Sequence, residues 1–245
     1  FHCGRAGLKE ILGKDPVAPS KVKNRHPARK GNQWGEYEIP EELTENEILE
    51  IVAQFKMGAE YAKEAGFDGL ELHGANGYLI DQFLKDATNI RKDKFGGNIE
   101  NRCRFPLMIL DAFIEIFGSN RVGIKITPVG RFNDMFDSQP FELYKYFLKE
   151  INDRKIAFVE LTRAPDFRPV PNLYGIKSEE QIEDVYETIR HFYNGVLIGN
   201  CNFTIEDLPY IGDVNPDKFN SFTPGSMIPI IDEDIILKMN PDYLI

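Results

Sequence analysis

Apolar residues recur along this chain with two alternating periods, one near 3.6 residues and one of 2. Ile48, Ile51, Val52, Phe55, Ala59 and Ala62 form a helical stripe. It opens at Thr44-x-x-Glu47, a spacing that lets each side chain cap the other residue's backbone N–H, and Gly66 stops it. Residues 68–72 then read as a strand. Asn98 caps a second helix, with its stripe at Phe105, Met108, Ile109, Ala112, Phe113 and Ile116 and its end at Gly118. Residues 121–127 read as a strand closed by Pro128. The alternation continues with a helix over 141–152, a strand over 156–162, a helix from Ser178-x-x-Gln181 to Phe192, and a strand over 196–199. Residues 218–223 are a weaker, polar strand candidate, and Phe1-His2 reads as the end of another strand.

Strands that alternate with amphipathic helices define parallel βαβ units. The expected fold class is α/β, a (β/α)8 TIM barrel in one domain over residues 1–245. A complete barrel takes roughly 250 residues, and the pattern here leaves out the first two strands and most of the third. The chain begins at Phe1 and not at Met, so further sequence is expected ahead of it, which leaves a targeting segment open. Residues 7–43 hold no period and are punctuated by Pro16, Pro19, Pro27 and Pro40. This long irregular segment reads either as a lid or binding loop or as a solvated connector.

Composition narrows the partners. A formal net charge of −10 opposes nucleic acid and acidic membrane surfaces, which need clustered Lys and Arg. No apolar run is long enough to span a bilayer as a helix. Cys3, Cys103 and Cys201 are odd in number, far apart and without metal-ligand spacing, so free thiols and a reducing compartment are expected. No G-x-G-x-x-G and no G-x-x-x-x-G-K-[ST] occurs, which removes Rossmann and P-loop nucleotide sites from consideration.

The candidate chemistry lies in His73, Asn76 and Tyr78, at the C-terminal end of a strand. Parallel α/β folds place their chemistry there. An imidazole and a carboxamide can hold one substrate oxygen, and a phenol nearby can deliver a proton. The alternative is that these side chains only satisfy backbone groups of the turn, with Tyr78 tied into the core by its hydroxyl. Lys125 is a cation within an apolar strand. It either meets an anionic or electron-rich group at the barrel mouth or pairs with Glu71 or Glu160 on neighbouring strands. Residues 89–97 form a polar, glycine-rich loop that Asn101 and Arg102 are placed to hold. Arg131, Asn133 and Asp134 follow the next strand and are candidates to line the mouth. A phosphate cradle would fall in the turns at 199–203 and 222–226. There only Gly199 and Gly225 are permissive, no Arg or Lys stands, and Pro224 lacks an N–H.

Residues 44–135 resemble the old yellow enzyme family of FMN-dependent NADH:flavin oxidoreductases and ene-reductases. The resemblance is carried by His73-Gly-Ala-Asn-Gly-Tyr-Leu-Ile-Asp-Gln-Phe83, Asn89-x-Arg91, Phe95-Gly-Gly97, Glu100-Asn-Arg102 and Val122-Gly-Ile-Lys-Ile-Thr-Pro128. The opening Phe1-His-Cys-Gly-Arg-Ala is similar to the family's block at the end of the third barrel strand. It implies FMN at the strand C-termini, reduced by NADH or NADPH, and an activated alkene such as an enone as substrate. His73 and Asn76 would then bond the substrate carbonyl, and Tyr78 would protonate the carbon beside it. Lys125, Asn202 and Gly225 would take cofactor positions. Lys125 stands where the family carries Arg near the flavin ring. The family's Gly-Gly phosphate turn falls at Cys201-Asn202, and its Gly-Arg turn near Pro224-Gly225, without the Arg. These departures carry an alternative: a flavin-less, inactive relative that serves as a scaffold or subunit, with a protein partner over the open strand edges.

Overall fold

A computed structural model describes residues 3–163 and 181–200, together with the backbone of 211–213, 221–222, 229–232 and 243–244. The N-terminal part holds the short helix α1 (Lys9–Leu12) and the strands β1 (Val17–Ala18), β2 (Ala28–Lys30), β3 (Gln33–Gly35) and β4 (Glu41–Glu42). Helix α2 (Glu45–Glu64) opens with the expected reciprocal cap: Glu47 N donates to Thr44 Oγ1 at 3.3 Å, and Thr44 N donates to Glu47 Oε2 at 2.8 Å. Then follow β5 (Leu70–Gly74), α3 (Leu79–Leu84), α4 (Ile99–Phe117), β6 (Val122–Ile126), α5 (Pro140–Arg154), β7 (Phe158–Thr162), α6 (Val185–Phe192) and β8 (Val196–Asn200). Asn98 Oδ1 caps α4 by accepting from Asn101 N, as its type and place imply.

Strands β5 to β8 pair side by side and parallel, and β12 (Tyr243–Leu244) adds in parallel to β8. The five-stranded sheet is an arc of the expected barrel. Period-2 alternation gives its faces opposite characters. Leu72, Ile124, Ile126, Val159, Leu161 and Leu197 share one core with Phe105, Ile109 and Phe113 of α4 and Leu143, Phe147 and Ile151 of α5. Each such side chain contributes roughly 1.5–3 kcal/mol when fully buried. The other face carries Glu71, His73, Lys125 and Glu160. The register sets His73 beside Lys125 and Lys125 beside Glu160. Gly123 lies on this face under Phe158, whose ring would be 2.3 Å from any Cβ added there, so a larger residue would require that ring to move.

Several boundaries differ from the sequence reading. The strand expected over 68–72 runs from Leu70 to Gly74, because Gly74 still pairs with Ile126. His73 is therefore a paired strand residue and not the first residue of the turn. Helix α3 has no counterpart in the expectations. The helix that ends at Phe192 opens at Val185 under Asp184, whose carboxylate accepts from Glu187 N at 3.0 Å; Ser178 lies outside the described residues. The strand candidate at 218–223 does not extend the barrel. Its described part, β10 (Ser221–Phe222), pairs antiparallel with β11 (Pro229–Asp232), which pairs parallel with β9 (Ile211–Asp213) in a separate sheet.

The segment over 7–43 is packed in part and exposed in part. Ala18, Ser20, Asn24, His26 and Ala28 are buried. Arg91 Nη1 donates to the carbonyls of Pro19 at 2.8 Å and Leu43 at 2.5 Å. The buried Arg5 donates through Nη1 to the carbonyls of Val22 and Lys23 and through Nη2 to those of Asn133 and Asp134. Asn101 holds the 89–97 loop as expected, by donating to Gly96 O at 3.1 Å, whereas Arg102 bonds Leu84 O and Asp137, both outside that loop.

Candidate active site

The turn after β5 gathers the three residues picked out in the sequence. The rings of His73 and Tyr78 lie 5.4 Å apart between centroids at 46°. Tyr78 is the N-cap residue of α3, and its side chain makes no capping bond, so the phenol is not spent on the helix end. Asn76 adopts a left-handed backbone, φ 56°, followed by Gly77 at φ 73°. Asparagine tolerates that region better than most residues. The turn places the Asn76 carboxamide against the end of β6, where Thr127 Oγ1 donates to Asn76 Oδ1 at 3.1 Å. The Asn76 carbonyl accepts from Asn133 Nδ2 at 2.8 Å.

Underneath lies a buried ion pair absent from the sequence reading. Asp81 and Lys85 occupy successive turns at the start and end of α3, both 1% exposed, with Lys85 Nζ 3.2 Å from Asp81 Oδ1. Asp81 Oδ2 accepts from Gly77 N at 2.8 Å, and Lys85 Nζ donates to Thr127 O at 2.8 Å. The pair thus ties the 76–77 turn to the end of β6. Burial raises the Asp81 carboxyl above its usual range, and the Lys85 charge and the Gly77 N–H act against that rise. The i,i+4 spacing of Asp81 and Lys85 was visible, but charged pairs on helices are normally solvated and give no hint of this burial.

Lys125 takes the internal-pairing alternative: its Nζ lies 2.6 Å from Glu160 Oε1, with side chains 16% and 15% exposed. Glu71 joins them. Its carboxyl is pushed up to about 8, chiefly by burial and then by the hydrogen bond and charge of Glu160, while Lys125 opposes the rise. For Glu160 burial is the largest influence and acts upward. It is outweighed by hydrogen bonds from Glu71 and Lys125, so the net direction is down. Lys125 and Glu160 answer each other's charge, and burial together with Glu160 opposes a second negative charge at Glu71.

Of the mouth candidates, Asn133 and Asp134 are buried: Asn133 braces Asn76, and Asp134 pairs with Arg25 Nε at 2.7 Å. Arg131 lies with its guanidinium carbon 4.7 Å from the Phe136 ring centroid. Asn202 and Gly225 lie outside the described residues. Among the described residues no group of His, Cys, Asp and Glu could hold a metal ion, and no helix is long and apolar enough to cross a membrane.

A parallel barrel arc with a His/Asn/Tyr turn at the C-terminal end of one strand is the architecture of a known class of flavin-dependent oxidoreductases. The sequence profile of the NADH:flavin oxidoreductase / NADH oxidase family matches residues 1–207, and the chain belongs to that family. It is 42% identical over 171 residues to a protein of Leishmania infantum described as a probable flavin mononucleotide-dependent alkene reductase, covering 70% of this chain and 44% of that one. The old yellow enzyme from Trypanosoma cruzi superposes with a TM-score of 0.73 at 30% identity, over 84% of this chain and 57% of its own. Morphinone reductase in complex with tetrahydroNAD gives 0.70 at 33% identity, over 84% and 55%. The chain spans about half the length of these relatives. A second profile, the C-methyltransferase C-terminal domain, matches residues 194–245. Asn202 falls within both matches and Gly225 only within the second.

Proposed function

We propose that the protein is an FMN-dependent oxidoreductase that uses NADH or NADPH to reduce the double bond of an activated alkene, an enone or enal. The observation that carries this reading is the end of β5 with the turn after it, residues 73–78. It sets an imidazole and a carboxamide N–H at one strand end with a phenol beside them. His73 and Asn76 Nδ2 hold the carbonyl oxygen and draw electron density from the conjugated double bond. The phenol of Tyr78 gives its proton to the carbon next to the carbonyl. FMN, when bound, supplies the hydride to the other alkene carbon. Lys125 would hold the ring side of the cofactor and Asn202 its phosphate side. The described residues suit such a ligand in one respect: Thr162 Oγ1, at the end of β7, is buried and has no hydrogen-bond partner among them.

The Lys125–Glu160 pair favours a second reading, because that cation already has a counter-ion without any cofactor. A flavin-less relative acting as a scaffold would keep such a pair. A visible absorption spectrum of the protein purified from its source separates the two. A flavin band bleached by NAD(P)H and restored by an enone is the expected outcome, with Tyr78→Phe slowing only the enone step, by about 10²–10⁴. A colourless protein that takes up no FMN would overturn the proposal in favour of the scaffold.

A further inference from the structure

Thr127 follows β6 directly and is 5% exposed. Its hydroxyl meets the same residue twice: it accepts from Asn76 N at 3.3 Å and donates to Asn76 Oδ1 at 3.1 Å. The two bonds fix the carboxamide's sense. The backbone N–H can only donate, so it takes one of the hydroxyl's two lone pairs. A reversed amide would donate to the second lone pair and leave the hydroxyl hydrogen without an acceptor among the described residues, whereas Oδ1 facing Thr127 supplies that acceptor. Oδ1 therefore faces Thr127, and Nδ2 faces away, with no hydrogen-bond partner among the described residues. The hydroxyl is itself held in place, because Thr127 O accepts from Lys85 Nζ at 2.8 Å and Tyr144 Oη at 3.2 Å.

Resting on the function proposed above, we propose that Thr127 is a positioning residue that turns the Asn76 amino group toward the ligand. It thereby commits the site to compounds that present an acceptor oxygen, such as a conjugated carbonyl, a nitro group or a phenolate. With its carboxamide locked, Asn76 offers donors only, and a ligand that presents a hydroxyl hydrogen at this point meets no acceptor. The commitment comes from Thr127 and from none of the three residues that touch the substrate.

The test uses Thr127→Val, which keeps the shape and removes the hydroxyl, with Thr127→Ser as rescue and Thr127→Ala as a second deletion should the valine protein not fold. Calorimetric binding of 4-nitrophenolate to the flavin-loaded protein should weaken about tenfold in the valine protein and recover in the serine one. The enone KM should rise in parallel. In an Asn76→Ala background Thr127→Val should add nothing, because Thr127 acts through Asn76. Hydrogen exchange at the Asn76 amide should speed up in the valine protein and stay slow in the serine one, whether or not the protein turns over. Wild-type phenolate affinity in both deletions, or full additivity with Asn76→Ala, overturns the inference. A protein that reduces no enone but binds phenolate with this Thr127 dependence overturns the proposed function and supports the positioning.

Discussion

The turn that follows β5 and the Glu71–Lys125–Glu160 row, which runs across β5, β6 and β7, belong to one sheet, yet they treat their polar groups in opposite ways. In the row, charge meets charge: Lys125 Nζ and Glu160 Oε1 are 2.6 Å apart, and the same carboxylate helps to raise the Glu71 carboxyl. Every group there is answered by another group of the row. In the turn, the internal bonds run one way. Asp81, Lys85, Thr127 and Asn133 consume the backbone donors and acceptors around Asn76 and leave its amino group turned outward. Polarity alone therefore does not mark a binding site. A self-satisfied cluster can be as polar as a site, and the difference is whether the internal accounts leave a donor over.

Breaking the support of the turn should have the largest effect. Lys85→Met leaves Asp81 buried without its cation, and removing one member of such a pair typically costs about 3–5 kcal/mol. Chemical denaturation should show that loss, and the protein that remains folded should bind phenolate more weakly because the 76–77 turn has lost its tie to β6. A stability close to wild type would mean that Asp81 takes up a proton and the turn does not depend on the pair. Glu160→Gln probes the row. Gln can still accept from Lys125, but without charge, so a loss of about 1–3 kcal/mol is expected in the same assay. Lys125 also loses its counter-charge, so FMN affinity, followed by quenching of flavin fluorescence, should increase; a decrease would show that Lys125 does not face the cofactor.

The smallest effect is a pH slope. The folded chain keeps the Glu71 proton up to about 8, whereas the unfolded chain sheds it near the ordinary carboxylate value of 4.5. Between these values the folded state binds more protons, so stability falls as pH rises and levels off above about 8. Glu160, with its value lowered, acts in the opposite sense, and its contribution is lost as pH falls below the ordinary range. Glu71 is exposed as a whole on its edge strand, so the slope should be shallow; in Glu160→Gln it should flatten further.

Where sequence signals are local, they were legible. Thr44 with Glu47, and Asn98 with Asn101, cap their helices because those contacts need only short spacing. Lys125 stood out as a cation within an apolar strand. The His73, Asn76 and Tyr78 cluster was legible because one turn holds it. Lys125 kept two readings until the β6–β7 register chose Glu160. Thr127 and the Asp81–Lys85 pair were not legible. Their roles depend on contacts across 42 to 51 positions, and a threonine or a lysine in isolation looks the same at a surface. The 218–223 segment misled because its partner strand is local but belongs to another sheet.

The register of β5 against β6 also has a consequence for how this chain can change over generations. Substitutions on the inner face alter one side chain at a time. A deletion or insertion of one residue within 122–126 would exchange every inner residue for an outer one, sending Lys125 into the apolar layer and bringing Ile124 or Ile126 beside His73. Strand length is thus inherited more strictly than strand composition, and gain or loss of residues is tolerable only outside the paired run, as in the turn at 118–121 that leads into β6.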